Sequence, residues 1–179
     1  QKIEEVLGRR GIHTYTVSMD NYFKTPDPAT SPRTADGAYD FESPKCLDLD
    51  LMSRHFSELE HGESIDVPKY NFSDQMRAAE PSKSIRLGKD EIVIFEGIHA
   101  LNDCITEQAP RAFELYVSAR SDVLFGSKVV FKGTWTRLVR RTVRDHLFRA
   151  YDPAGTIAMW ANVRRGEKLN ISPFKNKAD

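Results

Sequence analysis

The apolar run at residues 92–95, Ile-Val-Ile-Phe, is the sequence feature that most narrows what this chain can fold into. Its apolar residues are continuous rather than alternating, and they stop at Glu96. A strand buried on both faces shows this pattern, and such strands belong to parallel sheets that helices cover. A β-prone run at 12–18 and an amphipathic helical pattern at 135–149 alternate with it along the chain. We therefore predict an α/β fold with a mainly parallel sheet.

Local signals predict the remaining elements. Helices are expected at 1–10, 100–108 and 153–165, and strands at 65–69, 84–87 and 113–118. A further helix follows Asp48 and Asp50, either of which could be its N-cap, and ends at His61-Gly62. Segments 24–44 and 70–82 are predicted as long loops, and loops of that length in a compact domain often bind ligands.

Composition limits the classes of function. The 179 residues carry 26 basic and 26 acidic side chains, so neither nucleic acid nor a membrane surface is favoured as a partner. No apolar stretch reaches the roughly 20 residues that span a bilayer. The cysteines, Cys46 and Cys104, do not have the spacing of metal ligands. We expect a cytoplasmic protein, and we leave its oligomeric state open, a homo-oligomer included.

Two acidic residues follow predicted strands directly. Asp20 comes after the run at 12–18, and Glu96 comes after the run at 92–95. Ligands of α/β sheets bind beyond the carboxyl ends of the strands, where two acids could act as a general base and a magnesium ligand. The alternative is that each acid only caps the next turn, and for either residue alone the two interpretations are about equal.

Arginines are concentrated on the helix predicted at 135–149, where Asp145 is the only acidic residue. With so few acids on this helix, the arginines need anions from outside it. Closely placed guanidinium groups stabilise a phosphoryl group in transfer, so the set predicts a phosphate site. Composition alone favours a solvated basic face or a contact with nucleic acid instead. The arginines are Arg137, Arg140, Arg141, Arg144 and Arg149.

Aromatic residues are frequent in the two long loops and in the turn after residue 18. They could form the walls of a pocket for a base or a sugar. They could equally be anchors that hold long loops to the core. These residues are Tyr22, Phe23, Tyr39, Phe41, Tyr70 and Phe72.

Five blocks of sequence occur in the order in which they are found in the uridine kinase and phosphoribulokinase family. They are Ser-Met-Asp-Asn-Tyr-Phe at 18–23, Tyr-Asp-Phe-Glu-Ser-Pro at 39–44, Val-Pro-Lys-Tyr-Asn-Phe at 67–72, Ile-Phe-Glu-Gly-Ile at 94–98 and Arg-Arg-Thr-Val-Arg-Asp at 140–145. The chain resembles this family from residue 18 to 179, and its tail at 159–167 is most similar to the bacterial uridine-kinase-like branch. The resemblance implies a three-layer P-loop NTPase fold of the nucleoside-kinase type.

The resemblance also implies an activity, cofactors and site residues. The expected reaction is ATP-dependent phosphorylation of a hydroxyl group on a nucleoside or a related small polyol, with Mg²⁺. Asp20 would accept the proton of that hydroxyl and, with Glu96, hold the metal, while Glu42 would bind ribose hydroxyls. The other implied positions are Phe41, Tyr70, Phe72, Arg77 and Arg141 for the substrate, Arg140 and Arg144 for ATP, and Arg144 and Arg149 for catalysis at the transferred phosphate.

The chain departs from the family pattern in two respects. The glycine-rich phosphate loop should lie before the first helix, so we expect residues 1–179 to be a single kinase domain that is cut short before that loop's strand and at its C-terminus. Gln75 and Met159 stand where a histidine and a glutamine read the pyrimidine base, and Glu42 stands in place of a shorter Asp. These differences leave uridine itself in doubt as the substrate.

Two functions from other classes stay open at this point. One is a kinase-like domain without catalysis that binds a ligand or regulates an attached module. The other is a nucleic-acid-binding module that uses the helix at 137–149, which a steep salt dependence of oligonucleotide binding would support.

Overall fold

The computed structural model describes residues 2–118, 121–149 and 151–179, in which helices and strands alternate. The helices are α1 (Lys2–Gly8), α2 (Leu49–Glu60), α3 (Asp103–Thr106), α4 (Gly133–Phe148) and α5 (Pro153–Asn170). The strands are β1 (His13–Ser18), β2 (Ser64–Val67), β3 (Tyr70–Asn71), β4 (Met76–Arg77), β5 (Lys83–Arg86), β6 (Glu91–Glu96), β7 (Val123–Phe125) and β8 (Lys128–Phe131). Short 3₁₀ helices lie at Met19–Tyr22, Pro44–Cys46 and Ser172–Lys177.

Strands β1 and β6 pair in parallel. Their register runs from His13 opposite Glu91 to Ser18 opposite Glu96, without a bulge. The pairing confirms the predicted α/β class with parallel strands. Because both strands run in the same direction, the residues that follow them emerge at the same edge of the sheet.

Helix α2 and the antiparallel pairs β2–β5 and β3–β4 pack beside this parallel pair. The helix begins where the Asp48 side chain accepts a hydrogen bond from the Leu51 amide at 3.2 Å, which decides between the two predicted caps. One apolar cluster joins these elements. Its most deeply buried members are Val17, Tyr22, Met52, Ile65, Val67 and Ile85.

Helices α4 and α5 follow the hairpin β7–β8 and pack against each other. The apolar stripe of α4 does not face the core: Val143 is 52% exposed, and Trp135, Val139 and Leu147 are also exposed. The buried side chain of α4 is Asp145. In the described part of the chain, no helix combines the length and the apolarity that crossing a membrane requires.

Several predicted elements differ from the structure. The strand predicted at 113–118 does not form: the segment pairs with no other strand among the described residues, and Phe113 is 75% exposed. An apolar pattern favours a strand, but only a partner strand can complete its hydrogen bonds. The helix predicted at 100–108 is confined to α3, because turns occupy 97–102 and Asn102 caps the helix only there.

The other differences concern element ends and a missed hairpin. Helix α5 continues past its predicted end at 165 to Asn170, and a short hairpin, β3–β4, lies inside the loop predicted at 70–82. The hairpin β7–β8 was not predicted. Residue 1 of the first predicted helix lies outside the described residues.

Candidate active site

The carboxyl ends of β1 and β6 bring the two predicted acids to one edge of the sheet. Glu96 is the last residue of β6, and Asp20 lies two residues beyond its register partner, Ser18, in the 3₁₀ turn. The approach of the two strand ends depends on Gly97, because a Cβ there would come within 2.8 Å of the Met19 Cβ. Side chains do not tolerate such a contact, so a glycine after Glu96 belongs to the geometry of this edge.

Asp20 is a partly buried carboxylate between charges of both signs. Burial raises its pKa above the ordinary value, and the negative charge of Glu96 acts in the same direction. The guanidinium of Arg149 opposes both effects, with Nη2 at 3.6 Å from Asp20 Oδ2. Arg149 also lies over the ring of Phe72, 4.6 Å from its centroid, so its head is fixed between the acid and an aromatic face.

Asp145 organises three of the arginines of α4. Its carboxylate, 1% exposed, lies 3.2 Å from Arg141 Nε, 3.3 Å from Arg144 Nη2 and 3.6 Å from Arg149 Nη1. We expected these arginines to need outside anions because Asp145 is the only acid on the helix. The fold instead supplies carboxylates from distant parts of the chain, and the structure corrects that argument.

Those distant carboxylates are Glu167, Glu42 and Asp20. Arg137 contacts Glu167 at 2.6 Å, and Arg141 Nη1 lies 3.4 Å from Glu42 Oε1. Arg140, by contrast, is exposed and has no hydrogen bond or ion pair within the described residues. Arg144 is half-exposed and contacts only Asp145 there.

Glu42 faces the same space from the long loop that precedes α2. Its Oε1 receives the long contact from Arg141, whereas its Oε2 is buried and has no hydrogen-bond partner among the described residues. Burial raises the pKa of Glu42, and Arg141 and Arg137 lower it. A buried carboxylate oxygen without a donor is free to accept a hydrogen bond from a bound hydroxyl.

The loop aromatics form one packed group. The ring centroid of Phe23 lies 5.4 Å from Tyr70, 6.2 Å from Phe72 and 6.3 Å from Phe41. Phe23 and Tyr70 are buried and anchor the loops, as the second of our two interpretations proposed. Phe41 and Phe72 are only partly buried, and each lines a cavity.

Aromatic residues of the long loops line two cavities. One, of about 320 Å³, is lined by Tyr70, Asn71, Phe72, Ser73, Phe148 and Arg149. The other, of about 260 Å³, lies against the loop after Lys24 and includes Phe41. The first lies next to the arginine that contacts Asp20, so it is the one closer to the candidate chemistry.

Arg77 was predicted to contact the substrate, but in the structure both of its terminal nitrogens bind protein. Nη1 contacts Asp48 at 2.7 Å, and Nη2 donates to the backbone oxygens of Tyr22 and Phe23 at 2.9 and 3.1 Å. Arg77 therefore ties the turn that carries Asp20 to the N-terminus of α2. Direct binding of a substrate would require one of these bonds to be given up.

The positions expected to read a base lie apart from this cluster. Gln75 is exposed at the tip of the β3–β4 hairpin, with a positive φ of 53° that non-glycine residues seldom adopt. Met159 is partly buried on α5. The structure records no contact between either side chain and Asp20 or Glu42.

Sequence reasoning missed the residues of α5 that reach the site. Arg165 contacts Asp40 at 2.8 Å, and the Asn170 side chain donates to the Glu42 backbone oxygen at 2.8 Å. Gly166 packs directly against Glu42. The tail block at 159–167 contained two of them, but its spacing did not indicate which residues it would meet.

The acids at the sheet edge do not amount to a preformed metal cage. Among the described residues, no group of three or more His, Cys, Asp or Glu side chains is arranged to hold a metal ion. Magnesium, however, is commonly bound by one or two carboxylates together with substrate phosphates and water. Asp20 and Glu96 fit that requirement in number and in chemistry.

Comparison with known proteins gives consistent results. The Phosphoribulokinase / Uridine kinase family matches the chain over residues 1–179. The uridine kinase of Saccharomyces cerevisiae is 30% identical over 167 residues, which are 93% of this chain and 30% of that protein. The uridine kinase of Deinococcus deserti is 26% identical over 180 residues, which are 100% of this chain and 77% of that protein.

The length of chain that is shared differs among the relatives. The uridine kinase of Schizosaccharomyces pombe is 34% identical over 91 residues, or 51% of this chain and 19% of that protein. The matched part thus covers under a third of both yeast enzymes and about three quarters of the D. deserti one.

A solved structure shares the fold. It is that of a protein from Silicibacter sp. TM1040, provisionally named a fructose transport system kinase, with a TM-score of 0.59 and 16% identity. The match covers 95% of this chain and 77% of that one. It supports the P-loop NTPase-like α/β fold and, at this identity, nothing about the substrate.

Proposed function

The chain belongs to the phosphoribulokinase and uridine kinase family, and from that premise we propose that it phosphorylates a hydroxyl group of a nucleoside or a related small polyol with ATP. The observation that carries the proposal is the pair of acids, Asp20 and Glu96, at the carboxyl ends of two parallel strands in register, with Arg149 beside Asp20. Open α/β sheets bind their ligands at such an edge.

Asp20 is the proposed general base. Its carboxylate would take the proton of the acceptor hydroxyl while the acceptor oxygen bonds to the terminal phosphorus of ATP and the bond to the ADP oxygen breaks. Because burial raises the pKa of Asp20, its proton affinity is better matched to this task than that of an exposed Asp. Arg149 would hold the carboxylate in position and face the charge on the transferred group.

Magnesium, when bound, would neutralise charge on the phosphates, and Asp20 and Glu96 are the residues that would hold it. The exposed Arg140 and half-exposed Arg144 would be available for the phosphates of ATP, because neither is committed to an acid outside α4. We place the reaction in the cytoplasm, consistent with the free thiols of Cys46 and Cys104.

The acceptor would lie between Glu42 and the aromatic group. The unpartnered Oε2 of Glu42 would accept a hydrogen bond from an acceptor hydroxyl, and Arg141 would stay on the other oxygen. Phe72 and Tyr70 line the cavity beside Arg149 and would contact the flat face of a base or sugar. A polyol is included in the proposal because Gln75 and Met159 replace the side chains that would read a pyrimidine.

A kinase assay on the purified full-length protein tests this proposal. ATP, Mg²⁺ and a panel of nucleosides and small polyols would be used with the wild type, Asp20→Asn, and the exposed control Asp50→Asn. We expect one acceptor to be phosphorylated and Asp20→Asn to lose about 10²- to 10⁴-fold in kcat/KM, with no loss in the control. Binding of nucleotide without turnover of any acceptor would instead indicate a non-catalytic binding domain.

A further inference from the structure

The short loop that carries Glu42 is not fixed by regular secondary structure. We call residues 40–43 the acceptor loop; it follows a segment, 24–39, without a helix or a paired strand. Within the loop, the Asp40 side chain accepts from the Glu42 amide at 3.3 Å, and the Ser43 amide donates to the Asp40 backbone oxygen at 3.1 Å. The Asp40 amide donates to the Pro32 oxygen at 2.8 Å, and the Phe41 ring packs against Phe23, so the loop is held at its start, whereas none of these contacts reaches the Glu42 side chain.

Burying the acceptor loop is unfavourable for Glu42 itself. Its carboxylate is largely buried, one oxygen has no donor, and the contact from Arg141 to the other is long at 3.4 Å. The raised pKa of Glu42 has the same origin, because burial disfavours the charged form. Left to itself, the side chain would gain by turning toward water, so other contacts must hold the loop in place.

Two further contacts on this loop come from the last turns of α5. Arg165 Nη2 pairs with Asp40 Oδ2 at 2.8 Å, at one end of the loop. Asn170 Nδ2 donates to the Glu42 backbone oxygen at 2.8 Å, at the residue that carries the free oxygen. Asn170 is itself held, since Asn102 Nδ2 donates to its backbone oxygen at 3.2 Å.

Gly166 lets the helix come this close. A Cβ at position 166 would lie within 3.0 Å of the Glu42 Cβ, a separation that real Cβ atoms essentially never show. Gly166 and Asn170 are four residues apart and therefore share one face of the helix. Gly166 leaves room for Glu42, and the Asn170 side chain binds the Glu42 backbone oxygen, so both residues act on Glu42.

We propose that Arg165, Gly166 and Asn170 are positioning residues, which hold the acceptor loop so that the free oxygen of Glu42 meets the acceptor hydroxyl. The inference rests on the proposed function for the identity of the acceptor. None of the three residues needs to touch substrate, because each acts through Asp40 or Glu42. We call the set the α5 latch.

Hydrogen exchange tests the latch without any assay of activity. The full-length protein would be compared with Asn170→Asp, which removes the donor at constant shape, and with Gly166→Ala. Gly8→Ala is the matched control, because a Cβ at position 8 meets nothing within 4 Å. We expect exchange at 40–46 to become about 3- to 10-fold faster in both latch variants and not in the control, because Asn170→Asp loses one hydrogen bond and the Cβ of Gly166→Ala collides with Glu42. Unchanged exchange in Asn170→Asp would overturn the latch.

Kinetics test whether the latch acts through Glu42. Asn170→Asp should raise the KM for the acceptor about 3- to 10-fold, while kcat and the KM for ATP change less than about twofold. In a Glu42→Ala background the same substitution should raise KM no further, because the bond to the backbone oxygen at position 42 would no longer position a carboxylate. An undiminished effect in that background would show a merely structural role and overturn the inference.

A conservative rescue completes the design. Arg165→Met should behave like Asn170→Asp, whereas Arg165→Lys should recover most of the affinity, because it keeps a cation near Asp40. Equal loss in both would argue against the ion pair as part of the latch. If the wild type phosphorylates no acceptor, the proposed function fails, and the exchange data still decide whether the latch exists.

Discussion

The part of the molecule up to residue 106 and the pair of helices α4 and α5 are held together by different interactions. We call the first the sheet region; it contains every member of the main apolar cluster. The helical pair instead buries Asp145 and Glu167, both about 1% exposed, and turns the apolar stripe of α4 outward. Ion pairs and hydrogen bonds from Arg141, Arg149 and the α5 latch link it to the sheet region.

The comparison shows that the position of Asp20 and the charge around it come from different parts of the molecule. Asp20 stands on a sheet end that apolar burial holds in place, so its position is determined by the stable part of the molecule. Its charge environment, in contrast, is supplied by Arg149 from the helical pair. A movement of the helices would therefore change the electrostatics of Asp20 without moving its backbone.

The largest loss of stability should follow a substitution in the apolar core of the sheet region. Met52 is 1% exposed in the core cluster, so Met52→Ala should lower the free energy of unfolding by about 2–5 kcal/mol, through lost burial and the cavity left behind. Urea unfolding followed by circular dichroism measures it, with the exposed Met76→Ala as a control that should stay within about 0.5 kcal/mol. Equal effects in both variants would contradict the assigned core.

A substitution among the buried charges of the helical pair should lower the stability by less. Asp145→Asn removes the charge that three arginines share, and we expect a loss of about 2–3 kcal/mol, because hydrogen bonds to a charged group are lost in a buried place. Faster hydrogen exchange should be confined to α4 and α5, whereas the exposed Asp90→Asn should leave it unchanged. Exchange that rises equally in β1 and β6 would mean that the two regions unfold as one.

The smallest expected effect is on the pH dependence of stability, and it concerns a buried histidine of the sheet region. His99, 3% exposed in the sheet region, has its pKa lowered from 6.5 to about 4 by burial. Since the unfolded state binds the proton more readily, stability is full above about pH 6.5 and falls as the pH drops toward 4. We expect His99→Asn to remove on the order of 1–2 kcal/mol of this pH dependence.

The control for the titration is His146→Asn, since His146 is exposed at the end of α4. It should leave the pH dependence of stability between 6.5 and 4 as it is in the wild type. Were the dependence to survive His99→Asn intact, His99 would not be the group that causes the acid sensitivity.

Sequence reasoning succeeded where the signal was local or periodic. The strands at 13–18 and 91–96 and the helix from 133 to 148 follow from apolar pattern and β-branched residues, whereas the choice of Asp48 over Asp50 as the cap of α2 was made by the structure. The strand expected at 113–118 failed for the opposite reason, because its pattern needs a partner that local sequence does not supply. The placement of Asp20 and Glu96 at one edge followed from parallel pairing alone.

Which charges meet was decided only by the tertiary structure. Nothing in the sequence shows that Arg165 and Asn170 reach residues more than 120 positions earlier, nor that Gly166 makes room for Glu42. Likewise, the family resemblance implied that Arg77 meets substrate, and the fold placed its guanidinium on Asp48 and two backbone oxygens.

The sequence by itself determined the α/β class, the strands at 13–18 and 91–96 and the acids that follow them, because side-chain periodicity is a property of local chain geometry. The tertiary structure alone decided the partners of the arginines and the direction in which α4 faces. An arginine's long side chain can satisfy its charge with any carboxylate within reach, and only the packed chain fixes which one that is.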